Sequence, residues 1–387
     1  MRPFRYAPRG DSQHARRRSP LRAACLALCL ALAFPATGAG VALADCRTVA
    51  VTAQGRPVMG IEDLVVDAPR GQAVLSAYDR SAAPDSATPD RAGGGLYLLP
   101  LAGLWAGATA EAVELSAGFH PDGGFRPHGI DLRAEPDGSR SLLAINRRMD
   151  GRTVVEHFTL DGDTLRHRGT VDSPLLCRAN DVAFLDGERF LFTGDHGACG
   201  WAGVAVENVL NLRRGFVGLV EGDTARVLAA GIGFANGLVP DPAADRLFVA
   251  ATRERAVLVY RLSALLDGSG VEPLERIAVP GGPDNLSRSP DGRILAAVHP
   301  SLFALALHRY DLPGGATAPS RIVALRPDGA DVLLDDDGHG LSAATVAAVW
   351  GDRIIAGSVM SDRLLLCDGG SSGASRSSGP AERPAPK

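Results

Sequence analysis

A short motif, one or two polar residues followed at once by an apolar strand, recurs along this sequence with a period near fifty residues. It stands at Glu62-Asp63-Leu64, His128-Gly129-Ile130, Asn180-Asp181-Val182, Asn236-Gly237-Leu238 and Asp284-Asn285-Leu286, and again around Ser342 to Thr345. From His128 to Asp284 the successive gaps are 52, 56 and 48 residues; the first gap, 66 residues, holds an insertion at Ser81 to Gly95. Between these points run short apolar segments such as Ser141–Ile145, Thr153–Leu160, Arg189–Thr193, Arg246–Ala251 and Arg293–Val298. They are separated by Asp-Gly turn signals, which predict hairpins. Helical periodicity is scarce: a short helix is expected at Asn208 to Arg214, and Leu341 to Val349 reads as either helix or strand. Six units of about four strands each predict an all-β chain, a six-bladed β-propeller. The innermost strand of each blade starts near the central channel, so the polar residue leading into it points at the axis.

Seven residues of that ring carry only oxygen donors: Glu62, Asp63, Asn180, Asp181, Asn236, Asp284 and Asn285. Carboxylates and amide carbonyls without His or Cys form a set for a hard cation, and Ca²⁺ suits it best. One Asp or Asn before a strand is ordinary turn chemistry. The same pair at near-regular offsets points to a central calcium site instead, because so many acids at one axis need a counter-charge. His128 occupies the ring position where other blades offer oxygen, and imidazole is the usual proton acceptor near neutral pH. Asp195-His196 follows a strand and reads as a pocket rim or a surface turn. His299 reads as a pocket residue or a packed blade residue, and Phe234 as pocket wall or core. Ser342 lacks a Gly-x-Ser-x-Gly elbow, which excludes a serine-hydrolase nucleophile there. Asn285-Leu286-Ser287 is a glycosylation sequon that metal binding at Asn285 would preclude.

The ends of the chain carry different information. Arg16-Arg17-Arg18, the apolar run Ala23 to Phe34 and Ala42-Leu43-Ala44 have the order of a signal peptide, so residues 1–44 are expected to be removed on export to a periplasmic or extracellular space. Residues 45–368 are expected to form the propeller. Residues 369–387, rich in Gly, Ser, Pro and Arg, are expected to be a disordered tail. The first 44 residues hold seven arginines and one acid, so the remainder carries 33 basic against 43 acidic side chains, a net of −10. That balance argues against nucleic acid as a partner, and no apolar run in the body is long enough for membrane insertion after cleavage. Four cysteines remain beyond the leader. Cys46 and Cys367 lie at the two ends of the expected ring, where a bridge would close it. Cys177 and Cys199 read as a second pair or as two buried thiols.

Taken together, Gly60-Ile-Glu-Asp-Leu64, Phe125-Arg-Pro-His-Gly-Ile130, Asn180-Asp181, Phe234-Ala-Asn-Gly237, Asp284-Asn285 and Ala297-Val-His-Pro300 resemble the serum paraoxonase family. The likeness runs from Cys46 to Cys367 in matching order. It implies a calcium-dependent lactonase or arylesterase acting on a small lactone or ester, with two ions. By resemblance, Glu62, Asn180, Asn236, Asp284 and Asn285 hold the catalytic ion; Asp63, Asp181 and the carbonyl of Ile130 hold a structural one. Cys46 and Cys367 match the family's disulfide, His128 its general base, and Asp195 and His299 two further pocket residues. One position departs: Arg147 stands where the family has a second histidine. The gluconolactonase-like propellers, acting on sugar lactones through a similar metal site, are the nearest rival. A non-enzymatic, calcium-stabilised binding propeller is the rival from another class.

Overall fold

A computed structural model describes residues 45–80, 93–222 and 224–369. The expected signal segment, residues 81–92 of the expected insertion and the tail beyond residue 369 lie outside the described residues. Six sheets, antiparallel except where Thr109–Glu111 pairs parallel with Asp45–Ala53, make up the fold, and each has its innermost strand where the repeat places it: Ile61–Asp67, Pro127–Ala134, Ala179–Phe184, Ala235–Asp241, Gly282–Arg288 and Ala344–Trp350. The last of these settles the ambiguous Leu341–Val349 segment as strand. Each blade then steps outward through hairpins; in the second, Pro127–Ala134 pairs with Arg140–Arg147, that with Thr153–Asp161, and that with Thr164–Val171.

The hydrophobic core lies in the seams between blades. Alternating strand residues give each sheet two apolar faces, and each face buries against the next blade. Val74, Leu96 and Leu98 of the first blade pack on Ile130, Leu142 and Phe158 of the second, and five comparable clusters fill the remaining seams. Each fully buried Leu or Phe contributes about 1.5–3 kcal/mol relative to exposure. The ring closes by mixing the chain ends. Asp45–Ala53 pairs antiparallel with Arg363–Asp368, putting Cys46 opposite Cys367, and the two form a disulfide. Cys177 and Cys199 are also bonded to each other.

The helices are the elements that the sequence pattern marks least. The helix expected at Asn208 to Arg214 lies earlier, at α1 (Trp201–Val209), ending where Asn211 turns left-handed at φ 50°. Two short helices had no clear sequence signal: α2 (Leu262–Asp267) and α3 (Leu302–Arg309). α1 and α3 are each inserted after the second strand of a blade, and both expose apolar side chains, among them Trp201, Val209 and Phe303. An exposed helix with little amphipathic contrast leaves no clean 3.6-residue stripe to read. Among the described residues, no helix is long and apolar enough to cross a membrane.

Candidate active site

One local irregularity builds the site. In all six blades the ladder between first and second strands slips at the start of the innermost strand: between Ile61 and Asp63, Pro127 and Ile130, Ala179 and Val182, Ala235 and Leu238, Pro283 and Leu286, and Ala344 and Val346. Such bulges free residues from strict up-down alternation and re-aim their side chains. The freed residues are Glu62, His128, Asn180, Asp181, Asn236, Asp284, Asn285 and Thr345, all buried. The glycines at two bulges are required by contact. A Cβ on Gly129 would sit 2.6 Å from the Cα of Asp181, and one on Gly237 2.4 Å from the amide nitrogen of Leu286. Neighbouring inner strands thus touch backbone to backbone at the axis.

Three asparagines show what the ring is oriented to hold. Their amide nitrogens are already engaged: Asn180 Nδ2 donates to Asp195 Oδ2 (3.3 Å), Asn236 Nδ2 to Thr252 Oγ1 (3.3 Å) and Asn285 Nδ2 to the carbonyl of Glu62 (3.1 Å). The carbonyl oxygens of the same three amides are buried without a hydrogen-bond donor. An unsatisfied buried carbonyl costs about 1–3 kcal/mol, so three in one ring call for an electropositive partner. Glu62 and Asp284 add two carboxylates close enough that Asp284 helps burial to raise the pKa of Glu62. Among the described residues no three His, Cys, Asp or Glu side chains converge as a metal cluster; the donor set depends on amides, and it fits a hard cation.

Asp63 and Asp181, one residue further along their strands, act as ties between blades. Asp63 accepts from the N–H of Leu64 and of Ile130 in the next blade, both at 2.8 Å. Asp181 accepts from Val182 and from Leu238 in the next blade, again at 2.8 Å. Asp131, which the sequence reading missed, repeats the pattern with Leu132 and Phe184. Burial pushes Asp63 up to about 8 despite those donors, and burial with the Asp63 charge pushes Asp181 well above the carboxylate range. Two carboxyls so placed cannot both stay ionised at neutral pH without a counter-charge. The Ile130 N–H is held on Asp63, and the Asp63 charge bears on Asp181, so the three residues stand close together.

Above the ring stand residues from the ends of the second strands. Arg80, also missed by the sequence reading, pairs with Glu62 Oε2 at 2.8 Å and donates from the same Nη2 to His128 Nδ1 at 2.8 Å. A guanidinium only donates, so the proton of neutral His128 sits on Nε2, which is buried without a partner. Burial, then the charges of Arg147 and Arg80, holds the His128 pKa well below the ordinary imidazole range. Arg147 makes its hydrogen bonds elsewhere, to the carbonyl of Ala179 (2.9 Å) and to Asp195 Oδ2 (3.1 Å). Asp195 also receives Arg178 (3.1 Å) and His196 (2.6 Å). Burial alone would raise its pKa, but these donors hold it far below the usual range. His299 Nε2 bonds Asp284 Oδ2 at 2.7 Å, and its Nδ1 is unpartnered. His128, Asp195 and His299 therefore have three separate sets of partners. Phe234, at φ 64°, lies edge-on to His196.

The sequence pattern that defines the arylesterase family matches residues 52–368, the propeller almost end to end. The chain belongs to the arylesterase family. Among curated relatives of this family member, mouse serum paraoxonase/lactonase 3 is 26% identical over 316 residues, covering 80% of this chain and 86% of that one. Chicken serum paraoxonase/arylesterase 2 is 28% identical with the same coverage. Human serum paraoxonase/arylesterase 1 is 26% identical over 267 residues, 68% of this chain and 72% of its own. Among solved structures, a putative gluconolactonase shares the fold at TM-score 0.51 and 14% identity, covering 85% of this chain and 94% of its own. A luciferin-regenerating enzyme does so at 0.52 and 14%, covering 84% and 96%. At those identities the likeness is one of fold.

Proposed function

We propose that this arylesterase-family chain is an exported, calcium-dependent hydrolase of lactones or aryl esters. Family membership supports the hydrolase class, and the two disulfides fit an oxidising compartment. The observation that carries the calcium reading is the trio of buried, donor-less amide oxygens on Asn180, Asn236 and Asn285. With Glu62 and Asp284 they would hold one Ca²⁺; Asp63, Asp181 and the carbonyl of Ile130 would hold a second. When bound, the first ion supplies Lewis-acid polarisation of the scissile carbonyl and stabilisation of the developing oxyanion.

The chain's own residues do the rest. Thr345 Oγ1 donates to the carbonyl of Glu62 (2.7 Å), and Thr252 Oγ1 to that of Pro283 (2.6 Å), so the backbones carrying Glu62 and Asp284 are fixed. His299 sets the orientation of the Asp284 carboxylate. His128 takes the proton of the attacking water and returns it to the departing alkoxide. It does so at Nδ1, which requires Arg80 to withdraw from that atom; with Arg80 engaged, the ring offers Nε2–H as a donor instead. Asp195, charge-paired on several sides, orients Asn180 and the arginine wall and does not move protons in this scheme.

A second reading, a sugar-lactone hydrolase, is favoured by the polar wall of Arg147, Arg178 and Asp195. The deciding experiment assays the mature protein on a panel of lactones, sugar lactones and phenyl acetate, with and without Ca²⁺. Hydrolysis abolished by chelation and restored by calcium supports the proposal. Full turnover in demonstrably metal-free protein overturns it, and calcium-dependent stability with no turnover on any substrate points to a binding propeller.

A further inference from the structure

We infer that the preferred substrate of this site carries its own negative charge, a carboxylate or phosphate held at the arginine wall while its ester or lactone carbonyl lies at the axis. The inference rests on the hydrolase reading and narrows its substrate class. Arg147 and Arg178 share the single carboxylate of Asp195. Each spends its Nε and Nη2 on protein acceptors and has no hydrogen bond from Nη1 among the described residues; the two side chains are 20% and 28% exposed. Arg253 finds neutral acceptors only, the carbonyl of Glu207 (3.4 Å), Asn208 Oδ1 and His196 Nε2 (3.2 Å). Arg309, at the end of α3, is exposed, without an ion-pair partner among the described residues, and its charge still reaches Glu62 and His128.

With the four acids of the axial ring matched by the two proposed calcium ions, four guanidiniums border the site against two further carboxylates, Asp195 and Glu207, in a chain whose residues from 45 onward are net −10. A surplus of one sign, opposite to the rest of the molecule and gathered at one cleft, attracts and orients ligands of the other sign. Guanidinium edges match carboxylate and phosphate oxygens geometrically. A neutral ester would leave this surplus unanswered in a partly desolvated pocket.

The test uses the calcium-loaded full mature chain and two aryl esters with one leaving group: the mono-aryl ester of glutarate and its methyl-capped, uncharged counterpart. At low salt kcat/KM for the charged ester should exceed that for the capped one about ten-fold or more, chiefly through KM, and high salt should shrink the gap. Arg178→Gln and Arg309→Glu should each lower the ratio several-fold in protein whose thermal unfolding matches wild type. Calorimetric titration with glutarate and with methyl phosphate, neither of which turns over, should show binding and tell which oxyanion is preferred. Equal kcat/KM for the two esters, with neither anion bound, overturns this inference and leaves the hydrolase reading intact. A preference untouched by both variants overturns the assignment to this wall. Anion binding without turnover of either ester sinks the hydrolase reading and keeps the anion wall; absence of both sinks the two together.

Discussion

Replacing Asn236 with leucine separates a metal ligand from an incidental buried amide by the sign of its effect. In metal-free protein the change removes a weak hydrogen bond, Asn236 Nδ2 to Thr252 Oγ1 at 3.3 Å, while Thr252 keeps its bond to the carbonyl of Pro283 at 2.6 Å. That loss costs about 0.5–1 kcal/mol. The same change deletes a buried carbonyl oxygen that has no donor, which relieves about 1–3 kcal/mol. With a chelator present, Asn236→Leu is therefore expected to unfold at the same denaturant midpoint as wild type or a higher one. With calcium in excess the order reverses. Removing one of five ligands that weakens binding about 100-fold takes away about 2.7 kcal/mol of ligand-linked stability. The assay is denaturant unfolding of both proteins in chelator and in saturating Ca²⁺, four curves in all. Equal destabilisation of Asn236→Leu in both conditions, or an undiminished calcium effect in the variant, refutes the reasoning.

The other expectations are simpler. Cys46→Ser with Cys367→Ser opens the clasp across a separation of 321 residues, and denaturant midpoints should show a loss on the order of a few kcal/mol; an unchanged midpoint would mean that strand pairing alone closes the ring. His128→Gln should lower turnover about 100-fold or more while the calcium-induced rise in thermal stability persists, and near wild-type turnover would remove His128 as the base. Glu156 is buried and accepts from Asn146 (3.1 Å), Arg148 (3.0 Å), His167 (3.0 Å) and Thr170 (2.5 Å). Burial alone would raise its pKa, yet these bonds leave it below the ordinary glutamate value. The folded pKa being the lower one, its stabilisation is complete above the unfolded value and fades as pH falls through the folded one. Glu156→Gln should thus cost stability at neutral pH and flatten the acid-side loss in a pH series of unfolding curves; identical slopes for the two proteins would contradict this.

What the sequence made legible followed from one regularity. Because each blade repeats the same bulge at the same point of its first strand, the residues delivered to the axis recur at blade-length intervals, and every one of the ring positions read from the repeat lies where a bulge occurs. Arg80 escaped because the reading followed first strands only. The second strand returns to the same end of the propeller, so the residues at or just past its end also face the mouth: Arg80, Arg147, Asp195, Thr252 and His299 all stand there. Reading both ends of each hairpin would have found the first and fourth of them. Of the partners of Asp195, His196 is its neighbour in the chain and Arg178 stands just before the first strand of the same blade, so both lie within reach of a hairpin rule. Arg147 comes from the preceding blade, and a contact between blades depends on rotation about the axis, which no local pattern in one strand records.

The charge arrangement at the axis explains why amides and carboxylates are mixed there. Glu62, Asp63, Asp181 and Asp284 are four buried acids in one small ring, and burial raises the pKa of Glu62, Asp63 and Asp181. Two dications would match those four charges; Arg80 would match only one. Had Asn180, Asn236 and Asn285 been aspartates, the ring would carry three more charges with nothing among the described residues to neutralise them, and their mutual repulsion would open the seams that hold the blades together. Amide oxygens supply the same coordination without that charge. A set of two carboxylates and three amides would also leave a dication neutralised but not over-neutralised, so that its attraction for a further oxygen ligand would be retained. The repeated bulge and the chemistry of the ring therefore have one origin: six inner strands converge on an axis, closely enough at Gly129 and Gly237 that only glycine fits, and only charge-balanced side chains can be buried there.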